Sequence, residues 1–99
     1  MSPFAYSNDQ LNYLSVMAER YIWWKQADEA LTQPNRVIAQ VMEIGSTDDV
    51  ILLLKKFQPL DLANVLSVAE QGWFSPKSWK FWHNYCELET PPLPERSFS

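Results

Sequence analysis

The segment Phe74-Ser75-Pro76-Lys77-Ser78-Trp79-Lys80-Phe81-Trp82-His83-Asn84-Tyr85-Cys86, with Trp73 just before it, holds three of the chain's five tryptophans behind one Ser-Pro pair. A serine hydroxyl accepts from the free amides of a first helical turn, and a proline just after it has its φ preset, so a helix starts at Ser75-Pro76. The step of about 100° per residue then sorts the side chains. Lys77, Lys80, Asn84 and Glu87 share a polar arc, and Trp79, Trp82, His83 and Cys86 take the opposite side. Phe81, Tyr85 and Leu88 lie between them. The apolar surface is wider than one core-facing stripe needs, which predicts a helix that touches two things.

With 99 residues, a hydrophobic fraction of 46% and a charged fraction of 20%, the chain makes one small folded domain. A chain of this size buries roughly 65% of its unfolded surface around a single core. Residues 1–89 are expected to form a helical domain and residues 90–99 a tail. Twelve acidic against eight basic residues leave a net charge of −4, which disfavours non-specific nucleic-acid binding without excluding a local basic patch. One cysteine makes no internal disulfide, and Met1 to Gln10 is short and polar, unlike a leader peptide, so a reducing cytoplasmic setting is expected. The longest apolar run, Val50 to Leu54, is far below the ~18 residues of a membrane span.

The remaining chain reads as short helices separated by punctuation. The first begins near Ser7 to Asp9 and buries Leu11, Leu14, Ala18, Tyr21 and Ile22 at spacings of three and four. Trp23 and Trp24 are adjacent and cannot both enter one stripe. At least one anchors a turn or faces outward. Asp28 to Leu31 is a helical turn that ends before Pro34, where a second helix opens. That helix presents Val37, Ile38, Val41, Met42 and Ile44 inward and Arg36, Gln40 and Glu43 outward. Gly45 suits a left-handed stop. Ser46 or Thr47 caps a third helix, with Asp48 and Asp49 at the positive end of its dipole. This third helix, Asp48 to Phe57, is apolar on nearly every side and is expected to be central, with Leu52 between Lys55 and Lys56 as its exposed face. A fourth helix after Pro59 buries Leu62, Val65, Leu66 and Ala69 and runs to Gly72. No segment alternates with period two, so the fold class is all-α, a compact bundle of about five short helices. Pro91, Pro92 and Pro94 predict an extended, polyproline-like C-terminal tail.

Catalytic and metal chemistry find little support in these residues. His83 and Cys86 are three apart on one helix, but a closed zinc site takes four ligands and the chain has no other histidine or cysteine. Both project from the tryptophan stripe, where apolar surroundings dull a thiol. The carboxylates sit at helix starts, and no glycine-rich loop cradles a phosphate. No catalytic, cofactor-binding or metal-binding residue is assigned, and a non-enzyme is expected.

The surfaces carry more information. Five tryptophans, five phenylalanines and four tyrosines exceed what so small a bundle encloses, and aromatic groups left outside tend to mark binding surfaces. Trp23, Trp24, Phe81, Trp82 and Tyr85 are the candidate partner-binding residues, with Trp79 assigned to the core. The alternative is a DNA-binding regulator that uses Ser75, Lys77, Lys80 and Asn84 on the helix starting at Ser75. A self-associating structural protein is a third reading.

Four stretches, Tyr21-Ile22-Trp23-Trp24-Lys25, Asp28-Glu29-Ala30-Leu31, Arg36 to Gly45, and Phe74 to His83, together resemble a family of small helical bacterial proteins. Members are often encoded beside nucleotidyltransferase-fold toxins of the abortive-infection type. The resemblance implies an antitoxin-like role, restraining such a partner. It spans Tyr21 to His83 and is weaker from Leu60 to Gln71. Ala27 departs from the family's pattern, which has a proline opening the acidic turn. The family supplies no catalytic residues to carry over.

Overall fold

Helix starts in this chain are set by its caps and prolines. The structure, a computed structural model, describes residues 6–94 and contains six helices among them: α1 (Asn8–Tyr21), α2 (Ala27–Ala30), α3 (Pro34–Ile44), α4 (Thr47–Lys56), α5 (Pro59–Ser67) and α6 (Pro76–Tyr85). Ser7 opens α1 with a reciprocal box: its hydroxyl accepts from the Gln10 amide at 3.1 Å, and the Gln10 side chain accepts from the Ser7 amide at 2.9 Å. The same Gln10 side chain donates to the Lys56 carbonyl at 2.8 Å, tying the start of α1 to the end of α4. Pro34, Pro59 and Pro76 each occupy a first helical position, where the missing amide is no loss.

The central element is α3, which packs against all five other helices. Val37, Ile38, Ala39 and Val41 are completely buried in it. This corrects the expectation for the Val50 to Leu54 run. In α4 only Leu53 of that run is fully enclosed, while Ile51 and Leu52 remain 45% and 40% exposed. Hydrophobicity on every side does not place a helix at the centre; neighbours on every side do. The buried apolar side chains of α3 meet those neighbours, and its polar residues bond to them. Gln40 donates to the Tyr21 carbonyl, and the Glu43 carboxylate accepts from Ser75.

Two chain reversals depart from expectation. Gly45 is extended, at φ −63° and ψ 149°, and not left-handed. It is needed for room, because a Cβ there would lie 2.5 Å from the Val41 carbonyl oxygen. With the chain leaving α3 this way, Ile44 is 55% exposed and not inward. After α6, Glu87 takes the left-handed conformation at φ 58°, and the amides of Glu87 and Leu88 donate to the carbonyls of Asn84 and His83 at 3.0 and 2.8 Å. That pair of bonds is a Schellman ending with glutamate in the glycine position. Residues 88–94 have no regular structure. The Trp79 indole donates to the Pro91 carbonyl at 2.7 Å, and Leu93 packs against the core. Residues 95–99 of the expected tail lie outside the described residues.

The core itself joins Tyr13, Leu14, Met17, Ala18 and Ile22 of the first helical stretch to Phe57, Leu62, Val65, Leu66, Phe74, Trp79 and Trp82 across α3. No described helix is long and apolar enough to cross a membrane.

Candidate partner-binding surface

The Ser75 cap fixes the rotation of α6, and with it the fate of each aromatic ring. Its hydroxyl accepts from the Ser78 amide at 3.3 Å. From that start Trp79, Trp82 and His83 turn inward and are each 4% exposed, while Phe81 and Tyr85 stay 58% and 40% exposed. Phe81 and Tyr85 are four residues apart, so their side chains lie on one face about 40° apart. Trp82 lies beneath them, with ring centroids 5.0 Å from Phe81 and 5.5 Å from Tyr85, both edge to face.

Trp82 therefore corrects the sequence expectation. Its indole donates to the Met42 carbonyl at 3.0 Å and is the floor of the surface, with Phe81 and Tyr85 as its exposed part. A buried indole needs a partner for its N–H, and the last turn of α3 supplies one. Trp79 occupies the core as expected, tilted against Phe74 at 5.7 Å.

Trp23 and Trp24 form a second, separate feature. They follow the end of α1 and are 78% and 51% exposed, with ring centroids 5.8 Å apart and planes nearly perpendicular. Both face outward. Among the described residues no ring contact joins this pair to the Phe81 cluster. Trp24 also lines a hollow of about 200 Å³ shared with Arg36 and Trp73, a site that sequence reasoning missed. Helical spacing had put Arg36 outward, but its guanidinium is folded over the Trp73 ring, 5.2 Å from the centroid.

The alternative nucleic-acid residues divide. Lys77, Lys80 and Asn84 are exposed and free of ion pairs among the described residues. Ser75 is not available to a phosphate. Its amide donates to the Glu43 carboxylate at 3.1 Å, so the positive start of α6 already holds an anion. His83 donates from Nδ1 to the Trp79 carbonyl at 2.7 Å, since a carbonyl only accepts. The Cys86 thiol lies 3.6 Å from the Pro59 carbonyl, and burial pushes its pKa up, which disfavours the reactive thiolate. No cluster of three or more histidine, cysteine or carboxylate side chains forms among the described residues.

A further polar group was invisible in sequence. Asp49 is 3% exposed, and its carboxylate accepts from the Tyr21 hydroxyl and from Arg20 at 2.6 Å. The Tyr21 hydroxyl in turn accepts from the Ser46 amide at 3.0 Å, so a tyrosine from α1 links the Ser46 amide to the Asp49 carboxylate at the start of α4. The Tyr21 bond, then Arg20, hold the Asp49 carboxyl below the usual carboxylate range despite burial, which acts the other way. Tyr13 donates to the Asp49 carbonyl at 2.7 Å, and burial followed by the nearby Asp49 charge raises its pKa. Every partner here is internal, which makes the group structural.

Comparison with protein-family models, with curated proteins and with solved structures finds no match for this chain.

Proposed function

We propose that this chain is a non-enzymatic, cytoplasmic interaction module, antitoxin-like, that binds and restrains a nucleotidyltransferase-type toxin partner. The observation that carries the interaction reading is the exposed Phe81 and Tyr85 pair on a rigid base of buried Trp82, accompanied by the exposed Trp23 and Trp24. Aromatic groups of this kind dominate interface energetics, where loss of one costs about 2 kcal/mol or more. The class of partner comes from the family resemblance of Tyr21 to His83. The DNA-binding alternative is the weaker reading, since Glu43 occupies the helix start that a phosphate would use.

Co-expression with a nucleotidyltransferase-fold protein encoded beside the chain, followed by co-purification, tests the proposal. Phe81→Asp places a charge on the aromatic face, at a side chain more than half exposed, and should weaken the complex by about thirtyfold or more. Wild-type affinity retained by both Phe81→Asp and Tyr85→Asp rejects that surface. Absence of a complex with the wild-type chain rejects the partner class.

A further inference from the structure

Arg36 carries the only buried polar side-chain atom without a hydrogen bond among the described residues: its Nη1 is closed off from solvent and has no acceptor. Such atoms nearly always have a partner, and an unpaired charged one is costly. The guanidinium is held over Trp73, so its position is set by packing and not by a counter-ion. Burial depresses its pKa, with the Glu70 charge acting in the opposite direction. Glu70 is exposed and leaves Nη1 unbonded.

Two hollows flank this group. One of about 200 Å³ reaches from Trp24 and Lys25 to Trp73, and the other, about 300 Å³, reaches from Asn35 to Val68. Arg36 and Glu70 line both. The first hollow has two cationic side chains, Lys25 and Arg36, against the single carboxylate of Glu70, so its charge balance favours an anion. Its exposed lining is mainly polar, with Trp24 and Trp73 among the lining residues, so charge and hydrogen bonding select the ligand.

We infer that this hollow receives the carboxylate of an aspartate or glutamate side chain of the protein partner, which draws the closed-off Nη1 of Arg36 toward it and accepts from the guanidinium beside Lys25. A guanidinium fork matches carboxylate and phosphate alike. A protein partner carries carboxylates as ordinary surface side chains, which favours the carboxylate. The inference rests on the partner-binding reading above and adds Arg36 and Lys25 to it.

The test uses the chain alone. Sodium glutarate, a carboxylate on a short apolar stem, is titrated while the Arg36 Nε–H and the Trp24 and Trp73 indole N–H signals are followed by nitrogen-15 NMR. Sodium chloride at matched ionic strength and sodium phosphate are run in parallel. Glutarate should give a saturable shift of all three signals, with affinity reduced about tenfold in Arg36→Gln and raised about threefold in Glu70→Gln, which removes the competing charge. The Glu70→Gln arm keeps the test decisive if Arg36→Gln fails to fold. Shifts that chloride reproduces, a response to phosphate without one to glutarate, or no gain in Glu70→Gln would each overturn the inference. Because no partner is present, such a failure is distinct from failure of the complex in the Phe81→Asp experiment.

Discussion

Asp49 and Arg36 occupy the same place in two successive helices, each third in its first turn, and the molecule treats them in opposite ways. Asp49 is an anion at the positive end of α4, under a Ser46 cap, with Tyr21 and Arg20 on its carboxylate. Arg36 is a cation at the positive end of α3, where Gln33 makes no side-chain cap, and one of its buried nitrogens is unpaired. The helix dipole favours the first charge and opposes the second. A small domain that satisfies one buried charge so fully and leaves the other unsatisfied has placed its folding energy at the α1 and α4 corner. Its unused bonding capacity is at the Trp24 and Trp73 corner.

The largest effect that sharpens this contrast is at Asp49. In Asp49→Ala the partly buried Tyr21 hydroxyl loses its acceptor and α4 loses a favourable charge in its first turn, for a cost of about 3 kcal/mol. Arg20 adds little to that figure, because its side chain is more than half exposed. Chemical denaturation of the two proteins measures the difference. A loss below about 1 kcal/mol would place Asp49 among ordinary surface caps and break the comparison.

The pH dependence follows from the same bonds. The folded-state pKa of Asp49 lies below its unfolded value, so its contribution is full above about pH 4 and is lost as pH falls through the folded value. Asp49→Asn should therefore be less stable near neutrality and show a flatter acid limb. Tyr13 has the opposite sign: its raised pKa means that stability declines as pH rises beyond about 10, where the unfolded chain ionises first. An acid limb of unchanged steepness in Asp49→Asn would assign the acid sensitivity to other carboxylates.

How much of this was legible in the residues depends on whether the cause is local. The starts at Ser7, Pro34, Ser46, Pro59 and Ser75 were readable, since a cap or a proline acts within one turn. The inward turn of Trp79 and His83 was readable from the 100° step, and Trp82 shares their arc. Counting surplus aromatic rings drew Trp82 outward wrongly, because the count ignores the Met42 carbonyl that accepts its N–H. The centrality of α3 and the exposure of Ile44, Ile51 and Leu52 depend on which helices lie alongside, which periodicity within a helix does not encode. Asp49 and Tyr21 are 28 positions apart, and no local pattern joins them. Arg36 was misplaced for a related reason. Its outward angle on the helix holds for the Cα, while its long side chain folds back onto a tryptophan from the segment before α6.

The smallest effect is the most discriminating. Arg36→Met keeps an unbranched apolar stem against Trp73 and removes the guanidinium nitrogen that has no acceptor. Loss of the cation–π contact costs about 0.5–1 kcal/mol, and relief of an unsatisfied buried donor returns about 1–3 kcal/mol. The substituted chain should thus be at least as stable as wild type, by up to about 2.5 kcal/mol in urea, whereas any change at Asp49 destabilises. If Arg36→Met instead loses more than about 1 kcal/mol, the guanidinium is holding Trp73 in place, and the two corners serve the fold alike. If stability is kept while glutarate binding disappears, the charge at Arg36 is retained for a ligand and not for folding. That outcome separates the two third-position residues by purpose, which their burial alone does not do.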